Sequence, residues 1–145
     1  MVQANLSVSR QHVVRGMHFH RRQADYWCVL DGEAFVALHD LRRGSPTEGI
    51  GWSDRFAASD GLRGLYVPPG VAHGFCAITD MRLHYLVDAY FEDAADEFGF
   101  AWNDADAAIS WPETSPLLSA RDRANPSLAD ASTDAPPFVM RDRPR

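Results

Sequence analysis

The stretch HFHRRQAD at residues 18–25 contains two histidines, His18 and His20, and a carboxylate, Asp25. Residues two apart on a strand project from the same face, so the two imidazoles would share one side of a sheet. The four residues between His20 and Asp25 can form a reversal that returns Asp25 at the start of the next strand. The pattern therefore leaves two interpretations open: a divalent-metal site, or an acid/base histidine with charged neighbours.

A third histidine, His73, follows the tight turn Pro68-Pro69-Gly70. The combined spacing, His-x-His-x4-Asp-x6-Gly and then Pro-x-Gly-x2-His, resembles the two motifs of the cupin superfamily. The pattern departs from those motifs at His12, at Asp25 and at Ala77, where cupins usually have Gly, Glu and Asn. This resemblance predicts a metal site for Fe, Mn, Ni, Co or Zn, with open positions for substrate. Its ligands would be His18, His20, Asp25 and His73.

The elements that would position these side chains are short strands separated by Gly and Pro. Turn signals every 8–12 residues predict an all-β sandwich or barrel. We expect one domain over residues 1–128 and a flexible C-terminal tail over residues 129–145. Residues 91–101 are predicted to form one or two helical turns. The predicted strands span residues 13–20, 26–30, 33–41, 65–67, 73–78 and 82–90.

Most of the chain resembles the dTDP-4-dehydrorhamnose 3,5-epimerase family. The resemblance rests on Asn5 and Ser7 and on seven motifs. It implies a cupin-type jelly-roll barrel with short C-terminal helical or irregular segments. The motifs are VVRGMHF (13–19), DGEAF (31–35), DLRRGSPT (40–47), VPPGVAHGF (67–75), WND (102–104), ISWP (109–112) and LLSARD (117–122).

The resemblance also implies roles for individual residues. His18 would be the base that removes a proton next to a sugar ketone, and Asp122 would orient its imidazole. Tyr85 would be the acid on the opposite face. Substrate would be contacted by Asn5, at the nucleotide, and by Arg15 and His73, at the diphosphate or sugar. Trp27 would share the face of Asp25 and line the pocket.

Two departures from the family fall at the centre of this site. The usual Gln is His20, and the usual Lys, which helps to stabilise the enolate, is Asp25. Losing that cation would remove stabilisation of about 3–4 kcal/mol, and a divalent metal would restore the positive charge. Asp122 would then hold His18 as a metal ligand. We also expect the chain to lack the family's N-terminal strands, since it begins just before Asn5.

Less specialised interpretations remain open for the same residues. Asp25 would otherwise be a surface carboxylate paired with Arg21 or Arg22, which would contribute little energy. Tyr85 alternates with Leu83 and Val87, so it would otherwise be a core residue.

Composition excludes several classes of function. The chain has 145 residues with a net charge of −6, and all 14 of its cationic side chains are arginines. The absence of lysine excludes Schiff-base chemistry, and the absence of a basic run argues against nucleic-acid binding. No stretch is apolar enough to span a membrane, and two cysteines do not form a disulfide scaffold. We therefore expect a cytoplasmic protein.

These observations predict an epimerase that acts on a carbonyl compound such as a nucleotide-linked 4-keto-6-deoxysugar, with a divalent metal as cofactor. The alternative is a metal-dependent cupin with dioxygenase, lyase or cyclase chemistry, in which His18 is a ligand and not a free base. The composition suggests a GC-rich genome and a role in secondary metabolism. We expect a homodimer, since the family generally pairs through its sheets and an uncovered sheet edge is a liability.

Overall fold

The computed structural model describes residues 1–90 and 96–139, and strands dominate this part of the chain. The helical elements are α1 (Ala120–Ala124), α2 (Leu128–Ser132) and 3₁₀ turns at Ala58–Asp60 and Ala105–Ala107. The strands are β1 (Gln3–Ser9), β2 (Val14–Phe19), β3 (Asp25–Asp31), β4 (Glu33–Asp40), β5 (Gly51–Ala57), β6 (Gly64–Val67), β7 (Val71–Ala77), β8 (Met81–Val87) and β9 (Phe98–Gly99).

These strands form two antiparallel sheets. The four-stranded sheet has the order β1-β8-β3-β6, and the five-stranded sheet has the order β5-β4-β7-β2-β9. The predicted all-β jelly roll is confirmed, and each of the six predicted strands is present. Among the described residues, no helix is long and apolar enough to cross a membrane.

Two predictions of local structure need correction. Gln3–Ser9 and Gly51–Ala57 are strands that we did not predict. The predicted helical turns over residues 91–101 lie in part outside the described residues, and Phe98–Gly99 forms β9, which pairs with β2 and is not helical.

The space between the two sheets is filled at one end by apolar side chains from both sheets, including Trp27, Val36, Phe75 and Leu83. Burying each such side chain contributes about 1.5–3 kcal/mol. The side chains that point inward on β3 are Asp25, Trp27 and Val29, as the period of two requires. The polar residues at the other end of the space between the sheets therefore lie next to this packed apolar core.

A second core covers the other face of the five-stranded sheet. Met17 and Phe19 of β2 pack there with Phe100 and with Leu128 of α2, and the first three are fully buried. Because side chains alternate along a strand, anchoring Met17 and Phe19 on this side directs His18 to the space between the sheets.

The C-terminal residues complete this second core. Ala131 and Ala135 are buried, and the backbone N–H of Phe138 donates to the carbonyl of Arg43 at 2.8 Å. Residues 129–139 of the predicted tail thus pack on the barrel. Residues 140–145 lie outside the described part of the chain.

Candidate active site

A cavity of about 590 Å³ opens between the two sheets. Eight of the nine predicted site residues line this cavity. The ninth, Asp122, is not part of the lining and contacts the imidazole of His18. The eight are Asn5, Arg15, His18, His20, Asp25, Trp27, His73 and Tyr85.

A β-bulge in β2 brings Arg15 and His18 to the same side of their strand. Arg15 is opposite Phe75 and His18 is opposite His73, so β2 has one residue more than β7 over this interval. Gly16 lies within the bulge at a φ of 125°, where a Cβ would be 2.6 Å from the Cα of Gly74. Only glycine fits this position. The bulge, and with it the direction in which the His18 side chain points, therefore depends on Gly16.

His18 and Asp122 form a hydrogen-bonded pair at the cavity wall. His18 Nε2 lies 2.6 Å from Asp122 Oδ1, and Asp122 is buried. The other carboxylate oxygen accepts from the hydroxyl of Ser119 at 2.7 Å, and the backbone N–H of Gly16 donates to Oδ1 at 3.3 Å. Asp122 is placed by the first turn of α1, whose N-cap is Ser119.

The environment of Asp122 keeps it ionised. Burial raises its pKa, but the hydrogen bonds from His18 and Ser119 outweigh burial, and the net pKa lies below the ordinary value. An ionised carboxylate only accepts, so Nε2 of His18 carries a proton. The neutral imidazole then has its lone pair on Nδ1, which is the nitrogen that can remove a proton from a substrate.

Tyr85 lies on the opposite wall, on β8 of the four-stranded sheet, and is directly opposite Asn5 on β1 and Trp27 on β3. Burial raises the pKa of Tyr85, and the negative charge of Asp25 raises it further. The phenol therefore remains protonated at neutral pH and can act as a proton donor.

The second cluster in the cavity consists of His20, Asp25 and His73, each of which offers a ligating atom within 4.8 Å of the others. His73 Nδ1 lies 3.1 Å from the carbonyl oxygen of Val71, and His20 Nδ1 lies 2.7 Å from that of Asp96. Carbonyls only accept, so both Nδ1 atoms carry hydrogen, and in the corresponding tautomer Nε2 is the nitrogen with the lone pair. Burial lowers the pKa of His73 to about 4, which keeps its ring neutral at pH 7.

The predicted four-residue metal site is thus a three-residue cluster in the structure. His18 lies outside the cluster and is bonded to Asp122. The physical reason is that the bulge at Gly16 places the imidazole of His18 against α1. Asp25 is also not a surface carboxylate: it is 4% exposed and accepts from Gln23 Nε2 at 2.8 Å and Trp27 Nε1 at 3.1 Å.

Asp96 holds the turn between β2 and β3, and sequence reasoning missed this role. Its carboxylate accepts from the backbone N–H groups of Arg21, Arg22 and Gln23 at 2.8, 3.0 and 3.3 Å. Together with its bond to His20, this fixes the reversal that separates the first two cluster residues. Nothing local in the sequence links residue 96 to residues 20–23.

Other polar cavity residues were also not predicted. Arg121 is adjacent to Asp122 in sequence and donates to Glu97 at 2.7 Å, and Arg22 lies within the turn between β2 and β3. Position next to a predicted site residue is the signal that could have identified Arg121. The remaining polar residues of this group are Gln3, Ser7, Gln23, Tyr90, Asp96 and Glu97.

The fold and the site define a cupin-type jelly roll with a histidine–aspartate pair at its cavity. The family model for dTDP-4-dehydrorhamnose 3,5-epimerase matches residues 1–130, and the chain belongs to this family.

Curated relatives and solved structures agree with this assignment. The chain is 43% identical over 135 residues to a dTDP-4-dehydrorhamnose 3-epimerase of Streptomyces niveus, covering 90% of this chain and 64% of the relative. It is 38% identical to a dTDP-4-dehydrorhamnose 3,5-epimerase of Pseudomonas aeruginosa, covering 90% of this chain and 73% of the relative. The chain therefore spans about two thirds to three quarters of these two relatives.

Two crystal structures are similar over nearly the whole chain. A 4-keto-6-deoxy sugar epimerase from the novobiocin biosynthetic gene cluster of Streptomyces spheroides has a TM-score of 0.87 at 40% identity, covering 94% of this chain and 71% of that one. A 3'-monoepimerase from Streptomyces bikiniensis, in complex with dTDP-quinovose, has a TM-score of 0.85 at 32% identity, covering 93% of this chain and 71% of that one.

Proposed function

We propose that this protein is an epimerase of nucleotide-linked 4-keto-6-deoxysugars. The observation that carries the proposal is the His18–Asp122 pair, which orients an imidazole at a cavity large enough for a sugar. The names of the similar proteins favour the same reaction over the dioxygenase, lyase or cyclase alternative.

In the proposed reaction, His18 Nδ1 takes the proton from a carbon next to the ketone. The C–H electron pair forms the C=C bond of an enolate, and the carbonyl π electrons move to the oxygen. Tyr85 then donates its hydroxyl proton to the same carbon from the other face. The phenolate regains a proton from solvent, and the imidazolium of His18 releases the abstracted proton to solvent. His18 and Tyr85 lie on opposite sheets, so each can contact a different face of a substrate bound between the sheets.

The other residues that line the cavity are suited to bind the rest of the substrate. Arg15, Arg22 and Arg121 supply guanidinium groups suited to a diphosphate. Asn5, whose amide oxygen accepts from Gln3 at 2.9 Å, is proposed to bind the nucleotide, and Trp27 to pack against the sugar. Small-molecule recognition of this kind needs no nucleic-acid partner.

The direct test of the reaction is incubation of the wild-type protein with dTDP-4-keto-6-deoxyglucose in D₂O, followed by proton NMR. We expect loss of the signal at the carbon or carbons next to the ketone and appearance of an inverted sugar. No deuterium uptake over a long incubation would reject this substrate, and uptake without inversion would reject epimerisation as the outcome.

We also propose a homodimer formed through the outer face of the four-stranded sheet. This face carries exposed apolar residues on three of its strands: Leu6, Val8, Tyr26, Leu30 and Tyr66. Exposed apolar residues gathered on one sheet face favour association. Light scattering after gel filtration should give a dimer for wild type and for the control Ile50→Glu, and a monomer for Leu6→Glu. A monomeric wild-type protein would reject the dimer.

A further inference from the structure

The cluster of His20, Asp25 and His73 holds electron-rich atoms close together. His73 Nε2 lies 3.9 Å from Asp25 Oδ2, too far for a hydrogen bond. Two atoms that ligate one ion, each about 2.1 Å from it, lie about 3 to 4 Å apart, depending on the angle between them. The separation therefore suits a shared ion better than a direct bond between the two side chains.

The hydrogen bonds around the cluster fix the direction of its ligating atoms. Each histidine uses Nδ1 on a backbone carbonyl, the arrangement that orients ligating imidazoles in known metal sites. Asp25 is held by Gln23 and Trp27, one donor on each oxygen, which leaves further lone pairs on both oxygens.

Among the described residues, the one cationic-type side chain near the Asp25 carboxylate is the imidazole of His73. Within residues 1–90 and 96–139, no arginine forms an ion pair with Asp25, although its side chain is buried. A buried carboxylate is costly unless it is paired or coordinates a metal.

From this geometry we propose that His20 Nε2, His73 Nε2 and a carboxylate oxygen of Asp25 bind a divalent transition metal, separately from the base His18. Two imidazole nitrogens and one carboxylate oxygen suit Fe²⁺, Mn²⁺, Co²⁺, Ni²⁺ or Zn²⁺ and leave coordination positions open. His18 and His73 are directly opposite each other on β2 and β7, so the ion is a neighbour of the proton-transfer site. In the reaction proposed above, this ion would stabilise the negative charge on the enolate oxygen, and this role rests on that proposed function.

The test uses untagged full-length protein that is stripped with EDTA and titrated with each of the five ions. We expect the wild type to bind about one ion per chain and to develop visible absorption bands with Co²⁺. His20→Ala and Asp25→Asn should weaken binding by at least about 100-fold. His84→Ala is the matched control, because His84 lies on the outward face of β8 opposite the exposed Leu6, and it should bind as wild type.

Circular dichroism and thermal unfolding check that each variant is folded. A wild-type protein that binds none of the five ions overturns the proposal, as does equal binding by folded Asp25→Asn and His84→Ala. If the protein binds an ion but exchanges no proton in keto sugars, the metal site stands and the epimerase function fails. If EDTA-stripped protein exchanges protons at the wild-type rate, the epimerase function stands and the role of the ion in the reaction is overturned.

Discussion

The Nε2 atom of His18 lies 2.6 Å from Oδ1 of Asp122, a carboxylate 104 positions away in the chain that is itself held by Ser119. This pair gives the cavity a histidine of defined tautomer, and the chemistry we propose depends on that tautomer. The bulge at Gly16 positions His18, and the N-terminal cap of α1 positions Asp122.

Replacing Asp122 by Asn should lower kcat by about 100-fold or more, because the amide no longer fixes the proton on His18 Nε2. Ser119→Ala removes only one support of the carboxylate and should cost much less. Steady-state kinetics on the keto sugar measures both variants. A near wild-type kcat for Asp122→Asn would contradict the assigned role.

Tyr85→Phe should separate the two proton transfers. The variant keeps His18, so deuterium exchange next to the ketone should continue, whereas formation of the inverted sugar should fall by about 100-fold. NMR in D₂O follows both in one sample. Equal loss of exchange and inversion would show that Tyr85 does not act after the base.

Gly16→Ala should destabilise the barrel, because the new Cβ would meet the Cα of Gly74 at a φ that side chains rarely adopt. Gly61 also has a positive φ, of 89°, but open space around it, so Gly61→Ala controls for backbone strain alone. We expect the free energy of unfolding in urea to fall by about 2 kcal/mol more in Gly16→Ala than in the control. Equal losses would mean that the bulge tolerates a side chain.

Asp40 should make stability depend on pH. Burial alone would raise its pKa, but hydrogen bonds from Arg42, Thr47 and Ser45 lower it well below the ordinary value of 3.8. The folded-state pKa is depressed, so the stabilisation is complete above about pH 4 and is lost as the pH falls further. Asp40→Asn should cost about 2 kcal/mol at pH 7, and the difference from wild type should narrow below pH 4.

Urea unfolding at pH 7 and pH 3 measures this difference. Asp54→Asn is the control, since its ion pair with Arg63 is solvent-exposed and should contribute little. A difference between wild type and Asp40→Asn that is the same at both pH values would contradict the assignment.

The sequence predicted the jelly roll well but missed β1, for a physical reason. Its apolar residues, Leu6 and Val8, face outward, and its polar residues, Asn5 and Ser7, face the cavity. This reverses the pattern that identifies a half-buried strand. β5 was missed because GWSDRFA has mostly exposed positions and little alternation.

The placement of His20 and Asp25 was accessible to sequence reasoning because strand periodicity and turn spacing are local rules, and His73 was added to them by the resemblance to the cupin motifs. The separation of His18 from that cluster was not accessible, since it depends on a bulge with no sequence signal except a glycine. The role of Asp96 likewise depends on contacts with residues more than 70 positions away.

The measurement that tests the central claim most directly compares solvent deuterium uptake into dTDP-4-keto-6-deoxyglucose by the wild type and His18→Asn. The variant should remain folded and should exchange the proton next to the ketone at least about 100-fold more slowly. Exchange at the wild-type rate by folded His18→Asn would contradict the assignment of His18 as the base.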